Sequence, residues 1–235
     1  FFRDCKRVEV LTHTEALAID RRAKKVRVRN VKDQQISDLE YDHLVLATGG
    51  TPVVPPLPGA ELPGVSAVSN LHQAQEIKDR VAKGQVERAV VIGGGAIGLE
   101  MAEAMADLWG VETTIVEMMG HVLPMSFDQD MARLVQNHIQ DNGVQVRCGE
   151  RVTRITGDPE SGVKAIETDK TTIPCDLVIL AVGVRPNSRL AREAGLVVDR
   201  GVVVDENLRT SAEAVYAAGD VAEFRGHSYG NIPAA

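Results

Sequence analysis

The sequence predicts an α/β fold in which helices pack on a parallel sheet. Its clearest segment is an apolar run at residues 89–92, followed by a glycine-rich turn at 93–98. Apolar residues then repeat at helical spacing up to Gly110, and a second strand is predicted at 113–117. A strand, a helix and a strand within about 30 residues indicate a right-handed βαβ crossover.

The composition fits this class and excludes several functions. Apolar residues make up 44% of the 235 residues and aromatic ones only 3%, as expected where small residues let helices sit close to a sheet. The formal charge of −7 argues against nucleic acid or an anionic membrane as the main partner, because both require basic patches. No apolar run reaches the roughly 18 to 20 residues that span a bilayer.

The segment before the crossover unit reads as short strands. Val8, Val10 and Thr12 alternate with other residues, and Val26 and Val28 alternate with basic ones, which predicts a half-exposed antiparallel ribbon. The apolar run at 43–47 predicts a buried strand. A proline-rich stretch within 52–63 predicts an extended connector, and 71–82 has helical spacing.

The segment after the crossover unit alternates between helices and strands. A helix is predicted over about 127–142, with Ser126 and Gln129 as a capping box and Gly143 as its end. A short helix is predicted at 188–194. The predicted strands lie near 144–147, 151–156, 163–168, 176–182, 196–198, 202–204 and 214–217.

The turn Gly93-x-Gly95-x-x-Gly98 has the spacing of a dinucleotide-binding motif. The first glycine permits the tight turn, the second lets backbone approach a pyrophosphate, and the third lets the helix pack on the strand. The helix N-terminus offers unpaired N–H groups to the phosphates. The alternative is a glycine-rich turn without a ligand, but the βαβ context favours the nucleotide.

Two acidic residues accompany this motif. Glu117 closes the second strand, 19 residues after Gly98, where a carboxylate can accept both hydroxyls of the adenine-linked ribose. It would repel the 2′-phosphate of NADP, so we predict NAD; the alternative is an exposed acid at a strand end. Glu100 is predicted in the first helical turn, where the helix dipole favours it, or else near the nicotinamide.

Other reactive side chains give weaker signals. Cys5, Cys148 and Cys175 are odd in number and widely spaced, which disfavours disulfides and fits unreactive thiols in a reducing cytoplasm. His121 and His138 could act as bases, but their positions after a strand and within a helix favour surface placement. No metal site and no secure catalytic residue are predicted.

The chain as a whole resembles the pyridine nucleotide-disulfide oxidoreductases, in particular the group of NADH oxidases, NADH peroxidases and coenzyme A-disulfide reductases. The resemblance covers nearly all 235 residues, and its four motifs occur in the family's order. These motifs are Leu46-Ala47-Thr48-Gly49, Gly93-Gly94-Gly95-Ala96-Ile97-Gly98-Leu99-Glu100, Ala181-Val182-Gly183-Val184-Arg185-Pro186-Asn187 and Tyr216-Ala217-Ala218-Gly219-Asp220.

The resemblance implies a Rossmann-like NAD-binding domain, a parallel sheet with helices and a β-meander, inserted into a partial FAD-binding domain. We expect the NAD domain at 59–186 and the FAD parts at 1–58 and 187–235. The residues implied for NAD are Gly93, Gly95, Ala96, Ile97, Gly98, Glu100, Glu117 and Gly183. Those implied for FAD are Ala47, Thr48, Gly49, Gly219 and Asp220, with Asp220 on a ribityl hydroxyl.

The expected reaction is hydride transfer from NADH to the flavin, and then electron transfer to a disulfide, a peroxide or oxygen. The family's N-terminal FAD motif, redox cysteine and C-terminal dimerisation domain are not seen in this sequence, so we expect little activity from this piece alone. The resemblance implies a homodimeric parent. Two alternatives remain open: a flavoprotein that reduces a ferredoxin-type protein, and a non-catalytic NAD-binding module.

Overall fold

The computed structural model describes Lys6 and residues 8–227, and the chain forms two compact units. The chain up to Thr51 and from Arg185 onward forms one, the split unit. The intervening Pro52–Val184 forms the other, the inserted unit. Cys5 lies outside the described residues.

The described secondary structure alternates between strands and short helices. In chain order the strands are β1 (Thr14–Asp20), β2 (Lys25–Asn30), β3 (Ile36–Glu40), β4 (Leu44–Leu46), β5 (Gly50–Pro52), β6 (Val65–Ser66), β7 (Arg88–Ile92), β8 (Glu112–Glu117), β9 (Gln145–Cys148), β10 (Val152–Asp158), β11 (Gly162–Thr168), β12 (Thr172–Pro174), β13 (Leu177–Leu180), β14 (Val184–Pro186), β15 (Val202–Val203), β16 (Val215–Ala217) and β17 (Ala222–Glu223). The helices are α1 (Leu71–Ala82), α2 (Ala96–Glu103), α3 (Gln129–Asp141) and α4 (Arg189–Glu193).

The inserted unit is built on a five-stranded parallel sheet in the order β6-β13-β7-β8-β9. The central strands β7 and β13 are buried on both faces, which explains their continuous apolar sequences. Val91 and Ile115 point to one face and pack with buried residues of the helices, such as Ala102. Val90 on the other face packs with Ile166 of the antiparallel meander β10-β11-β12. The predicted α/β class with a parallel sheet and a meander is therefore confirmed.

The helix after the glycine turn changes its hydrogen-bonding pattern before it ends. We predicted one helix up to Gly110, whereas α2 ends at Glu103 and a π-helical segment, Ala104–Leu108, continues it. The chain then leaves the helix through Gly110 in the left-handed region, with φ of +64°. Met105 in this π-helical segment is fully buried and packs in the core of the inserted unit.

The capping of α3 differs from the prediction. Asp128, not Ser126, is the N-cap, and its carboxylate accepts a hydrogen bond from the backbone N–H of Met131. The helix therefore begins at Gln129 instead of about residue 127. Ser126 and Asp128 both have a short oxygen-bearing side chain, but Ser126 lies in the turn before the helix, whereas Asp128 directly precedes it with the extended backbone of an N-cap.

The split unit contains the antiparallel ribbon β1-β2-β3 and two small parallel pairs, β4 with β16 and β15 with β17. The predicted strand at Val8 and Val10 was wrong: both are exposed, and regular pairing begins at Thr14. The predicted strand at 196–198 is reduced to an isolated bridge from Val198 to Val202. β4 is only partly buried, because Val45 is 59% exposed.

Candidate functional site

Two glycines of the turn after β7 are required by close backbone packing. Gly93 has φ of +111°, and a Cβ there would lie 2.4 Å from the carbonyl oxygen of Ala181. A Cβ on Gly98 would lie 2.0 Å from the carbonyl oxygen of Gly93. Any larger side chain would push α2 away from the strand end, so both positions require glycine for steric reasons.

Gly95 has a different environment. A Cβ built on it meets no atom within 4 Å, so the turn presents its backbone to open space at this point. Gly95 is also the N-cap of α2, and no side chain caps the helix there. The N–H groups of Ala96 and Ile97, both exposed residues, belong to the uncapped first turn. This arrangement suits an anionic group such as a pyrophosphate.

Glu117 ends β8 directly beside the glycine turn. It is only 8% exposed, and each of its carboxylate oxygens accepts a backbone hydrogen bond. The Gly94 N–H donates to Oε2 at 2.6 Å, and the Met119 N–H donates to Oε1 at 2.7 Å. Since each oxygen retains a further lone pair, the carboxylate is oriented by the protein and can still accept hydroxyl groups.

Gly94 has no role predicted from the sequence, but it has a specific place in the structure. Gly94 is buried, and a Cβ there would lie 3.1 Å from Cβ of Glu117. Its carbonyl oxygen also accepts the N–H of Leu123, which fixes the loop after β8. A fourth glycine, at a position of the motif where any residue is allowed, was the available signal.

The remaining predicted residues of the inserted unit lie near the same sheet edge. Gly183 follows β13, which is the parallel neighbour of β7. It has φ of +115° and open space where a Cβ would be. Glu100 is exposed, but it is the fifth residue of α2 and not in the first turn as predicted, because the helix begins at Ala96. Ligands of open α/β sheets bind at this carboxyl edge of the strands.

The split unit brings its two predicted segments together in the same way. β4 and β16 are parallel neighbours, and Leu46 pairs with Ala217 at their last residues. Residues 47–49 and 218–220 therefore leave the same edge of this pair. Gly49 and Gly219 both have positive φ, +63° and +72°, and both face open space. Asp220 lies half-buried in a short 3₁₀ turn, Gly219–Val221.

The free thiols are poorly placed for reactivity. Burial raises the pKa of Cys175 to about 12, so this thiol stays protonated at neutral pH. Cys148 is half-buried, and its pKa is raised first by burial and then by the charge of Glu117. His121 contacts the carbonyl oxygen of Val122 through Nδ1. His121 is half-buried, and His138 lies exposed on α3, where its ring contacts the side chain of Asn142.

The sequence matches the family described as pyridine nucleotide-disulphide oxidoreductase over residues 3–235, and the chain belongs to that family. It is 35% identical to an NADH oxidase of Methanocaldococcus jannaschii over 219 residues, which are 93% of this chain and 48% of the relative. The chain therefore spans about half the length of that relative.

Solved structures agree with this assignment. An NAD-dependent persulfide reductase from A. fulgidus superposes with a TM-score of 0.87 at 40% identity, over 94% of this chain and 40% of that one. A ferredoxin reductase from Rhodopseudomonas palustris gives 0.85 at 31% identity, over 97% and 55%. Among the residues that the structure describes, no helix is long and apolar enough to cross a membrane.

Proposed function

We propose that this chain supplies the NADH-binding part, and a portion of the flavin-binding part, of an NADH-dependent flavoprotein oxidoreductase. The observation that carries the proposal is the carboxylate of Glu117, held by two backbone N–H groups beside the open turn at Gly95. An open glycine turn for the phosphates and an oriented hydroxyl acceptor are the two features that recognise the adenosine half of a dinucleotide.

In the inserted unit, Gly95 and the uncapped start of α2 at Ala96 and Ile97 would hold the pyrophosphate, while Gly93 and Gly98 shape the turn. Glu117 would accept the ribose hydroxyls and disfavour a 2′-phosphate, which gives a preference for NADH over NADPH. Gly183 would let the nicotinamide approach the backbone. Glu100, exposed on α2, would lie toward the nicotinamide end.

In the split unit, the segment Ala47, Thr48 and Gly49 would run along the flavin nucleotide. Gly219 would allow the backbone to approach it, and Asp220 would accept a hydroxyl of the ribityl chain. When they are bound, NADH supplies a hydride and FAD accepts it. The protein groups hold the two cofactors in place, and the electrons continue to a disulfide, a peroxide or oxygen.

The NAD-binding domain in this proposal is 59–186, and the FAD-binding parts are 1–58 and 187–235. The two described thiols are free, which fits a reducing compartment, so we place the protein in the cytoplasm. A homodimeric parent completes the proposal. Light scattering of the intact protein would measure its subunit number directly.

An anaerobic titration of the intact protein with NADH, followed by visible absorbance, tests the function. We expect the flavin absorbance to bleach with NADH at concentrations where NADPH has little effect. A new long-wavelength band would indicate a thiolate against the flavin and thus a disulfide or peroxide acceptor. If NADH binds without any bleaching, the enzyme proposal is wrong and the chain is a binding module.

A second candidate is a reductase of a ferredoxin-type protein. It is favoured by the similarity to the Rhodopseudomonas palustris ferredoxin reductase, which covers 97% of this chain. Bleaching without the long-wavelength band, together with rapid NADH-dependent reduction of an added ferredoxin, would favour this candidate over the first.

A further inference from the structure

Asn187 connects two segments of the split unit that are far apart in sequence. Its side-chain Nδ2 donates a hydrogen bond to the carbonyl oxygen of Thr48 at 2.9 Å. Its Oδ1 accepts a hydrogen bond from Oγ1 of Thr51 at 2.8 Å. One amide side chain therefore uses both its donor and its acceptor on the same short segment.

The backbone of Asn187 makes two further hydrogen bonds to that segment. Its N–H donates to the carbonyl oxygen of Gly49 at 2.9 Å, and its carbonyl oxygen accepts from Oγ1 of Thr48 at 2.8 Å. Four hydrogen bonds thus join Asn187 to residues 48–51, which lie 136 to 139 residues earlier in the sequence. We call this set the Asn187 clasp.

The clasp lies where the chain leaves and re-enters the split unit. The chain departs after Thr51 and returns at Arg185, two residues before Asn187. Gly49 between these contacts has a left-handed backbone and no neighbour that fills the space on its Cα. Residues 50–52 are held by the pairing of β5 with β14, and the hydrogen bonds of Asn187 add the contacts that hold Thr48 and Gly49 beside that pair.

The chemistry of the clasp explains why asparagine is needed. Aspartate would keep the acceptor for Thr51 but would place an oxygen against the carbonyl oxygen of Thr48. Alanine would remove both side-chain bonds and leave the two backbone bonds. Only an amide side chain at position 187 can make both side-chain hydrogen bonds of the clasp, as expected for a positioning role.

We infer that Asn187 is a positioning residue for the flavin, acting through Thr48 and Gly49. This inference rests on the proposed function, in which residues 47–49 run along the flavin nucleotide. By holding these residues before the cofactor arrives, Asn187 removes part of the ordering cost of binding. Its loss weakens FAD binding and leaves NADH binding in the inserted unit unchanged.

The test uses the intact flavoprotein and the variants Asn187→Ala, Thr51→Val and Thr51→Ser. FAD affinity is measured by adding FAD to the apoprotein, NADH affinity by titration, and folding by thermal unfolding. Asn142→Ala is the matched control, because Asn142 is also exposed and also donates Nδ2 to a backbone carbonyl, that of His138. Asn142 is the C-cap of α3 and is far in sequence from residues 48–51.

We expect about a tenfold loss of FAD affinity in Asn187→Ala, and a smaller loss in Thr51→Val that Thr51→Ser restores. NADH affinity should remain within about twofold of wild type. Unchanged FAD affinity in Asn187→Ala and in Thr51→Val overturns the inference, as does an equal loss of NADH affinity. A wild-type protein that binds no FAD would instead overturn the proposed function itself.

Discussion

The carboxylate of Glu117 and the backbone N–H of Gly94 are joined by a hydrogen bond of 2.6 Å across 23 residues. This bond links the end of β8 to the turn that follows β7, and it is buried. It fixes one carboxylate oxygen toward the glycine turn. The carboxylate of Glu117 is therefore part of the turn. A substitution of Glu117 should lower the affinity for the dinucleotide more than it lowers the stability of the fold.

Replacing Glu117 with Gln tests this arrangement. The amide can keep one acceptor, but its NH₂ group must face the N–H of Gly94 or of Met119, so one hydrogen bond is lost. We expect NADH affinity to fall at least about tenfold, because hydrogen bonds to a charged group contribute about 1.5–3 kcal/mol. The discrimination against NADPH should also decrease. Titration with both nucleotides measures these changes.

Glu112→Gln is the control for that variant. Glu112 lies on the same strand at its opposite end, and it is exposed. Its replacement should leave both nucleotide affinities unchanged. Equal effects from the two substitutions would show that the affinity for NADH depends on the net charge of the protein and not on the carboxylate at the turn.

Two glycines of the turn should respond in opposite ways to alanine. Gly98→Ala places a methyl group 2.0 Å from a carbonyl oxygen, and we expect a loss of about 1–3 kcal/mol in the free energy of unfolding. Gly95→Ala meets no atom and has a backbone that alanine readily adopts, with φ of −76°, so stability should be kept. NADH affinity should nevertheless fall at least about tenfold, because the methyl group occupies the space for the pyrophosphate.

Chemical denaturation and NADH titration on the same two variants separate these effects. Gly95→Ala with full NADH affinity would contradict a pyrophosphate at this turn. Gly98→Ala with unchanged stability would contradict the close packing of α2 on the strand end.

The parallel sheet could be predicted because its central strands β7 and β13 are continuous apolar runs and because a helix of clear periodicity follows β7. The elements that were missed or misplaced depend on partners that no local pattern reveals. β12 is a three-residue strand that exists because it pairs with β11. Val8 and Val10 alternate like a strand but have no strand beside them in the described part of the chain.

The candidate site also has one part that the sequence predicts and one part that it does not. The spacing of Gly93, Gly95 and Gly98 identifies the turn, because Gly93 and Gly98 are required by close backbone packing and Gly95 leaves open space between them. The network around Asn187 could not be read from the sequence, since its contacts with Thr48 and Thr51 span more than a hundred residues. Sequence order does not specify which side chains meet at the edge of a sheet.

The corrected cap of α3 gives a direct stability test. Asp128→Ala removes the side-chain acceptor of the Met131 N–H, and we expect the free energy of unfolding to fall by about 1 kcal/mol. Ser126→Ala should change it by less than about 0.5 kcal/mol. The reverse ranking in urea denaturation would restore Ser126 as the cap.

The burial of Cys175 predicts a loss of stability in alkaline solution. The thiol has an ordinary pKa of 9.0, and burial raises it to about 12 in the folded chain. Between these values the unfolded chain has lost the thiol proton and the folded chain has kept it, so unfolding becomes more favourable as pH rises. Below pH 9 the contribution of the buried thiol to stability is complete, and above pH 9 the loss of unfolding free energy approaches about 1.4 kcal/mol per pH unit.

Urea denaturation of wild type and Cys175→Ala at pH 8 to 10.5 measures the difference. The alanine variant should be less stable at pH 8, and its stability should decline less steeply as the pH rises. Tyr41, whose pKa is also raised by burial, titrates in both proteins and cancels from the comparison. Parallel curves would mean that the Cys175 thiol titrates no differently in the folded chain.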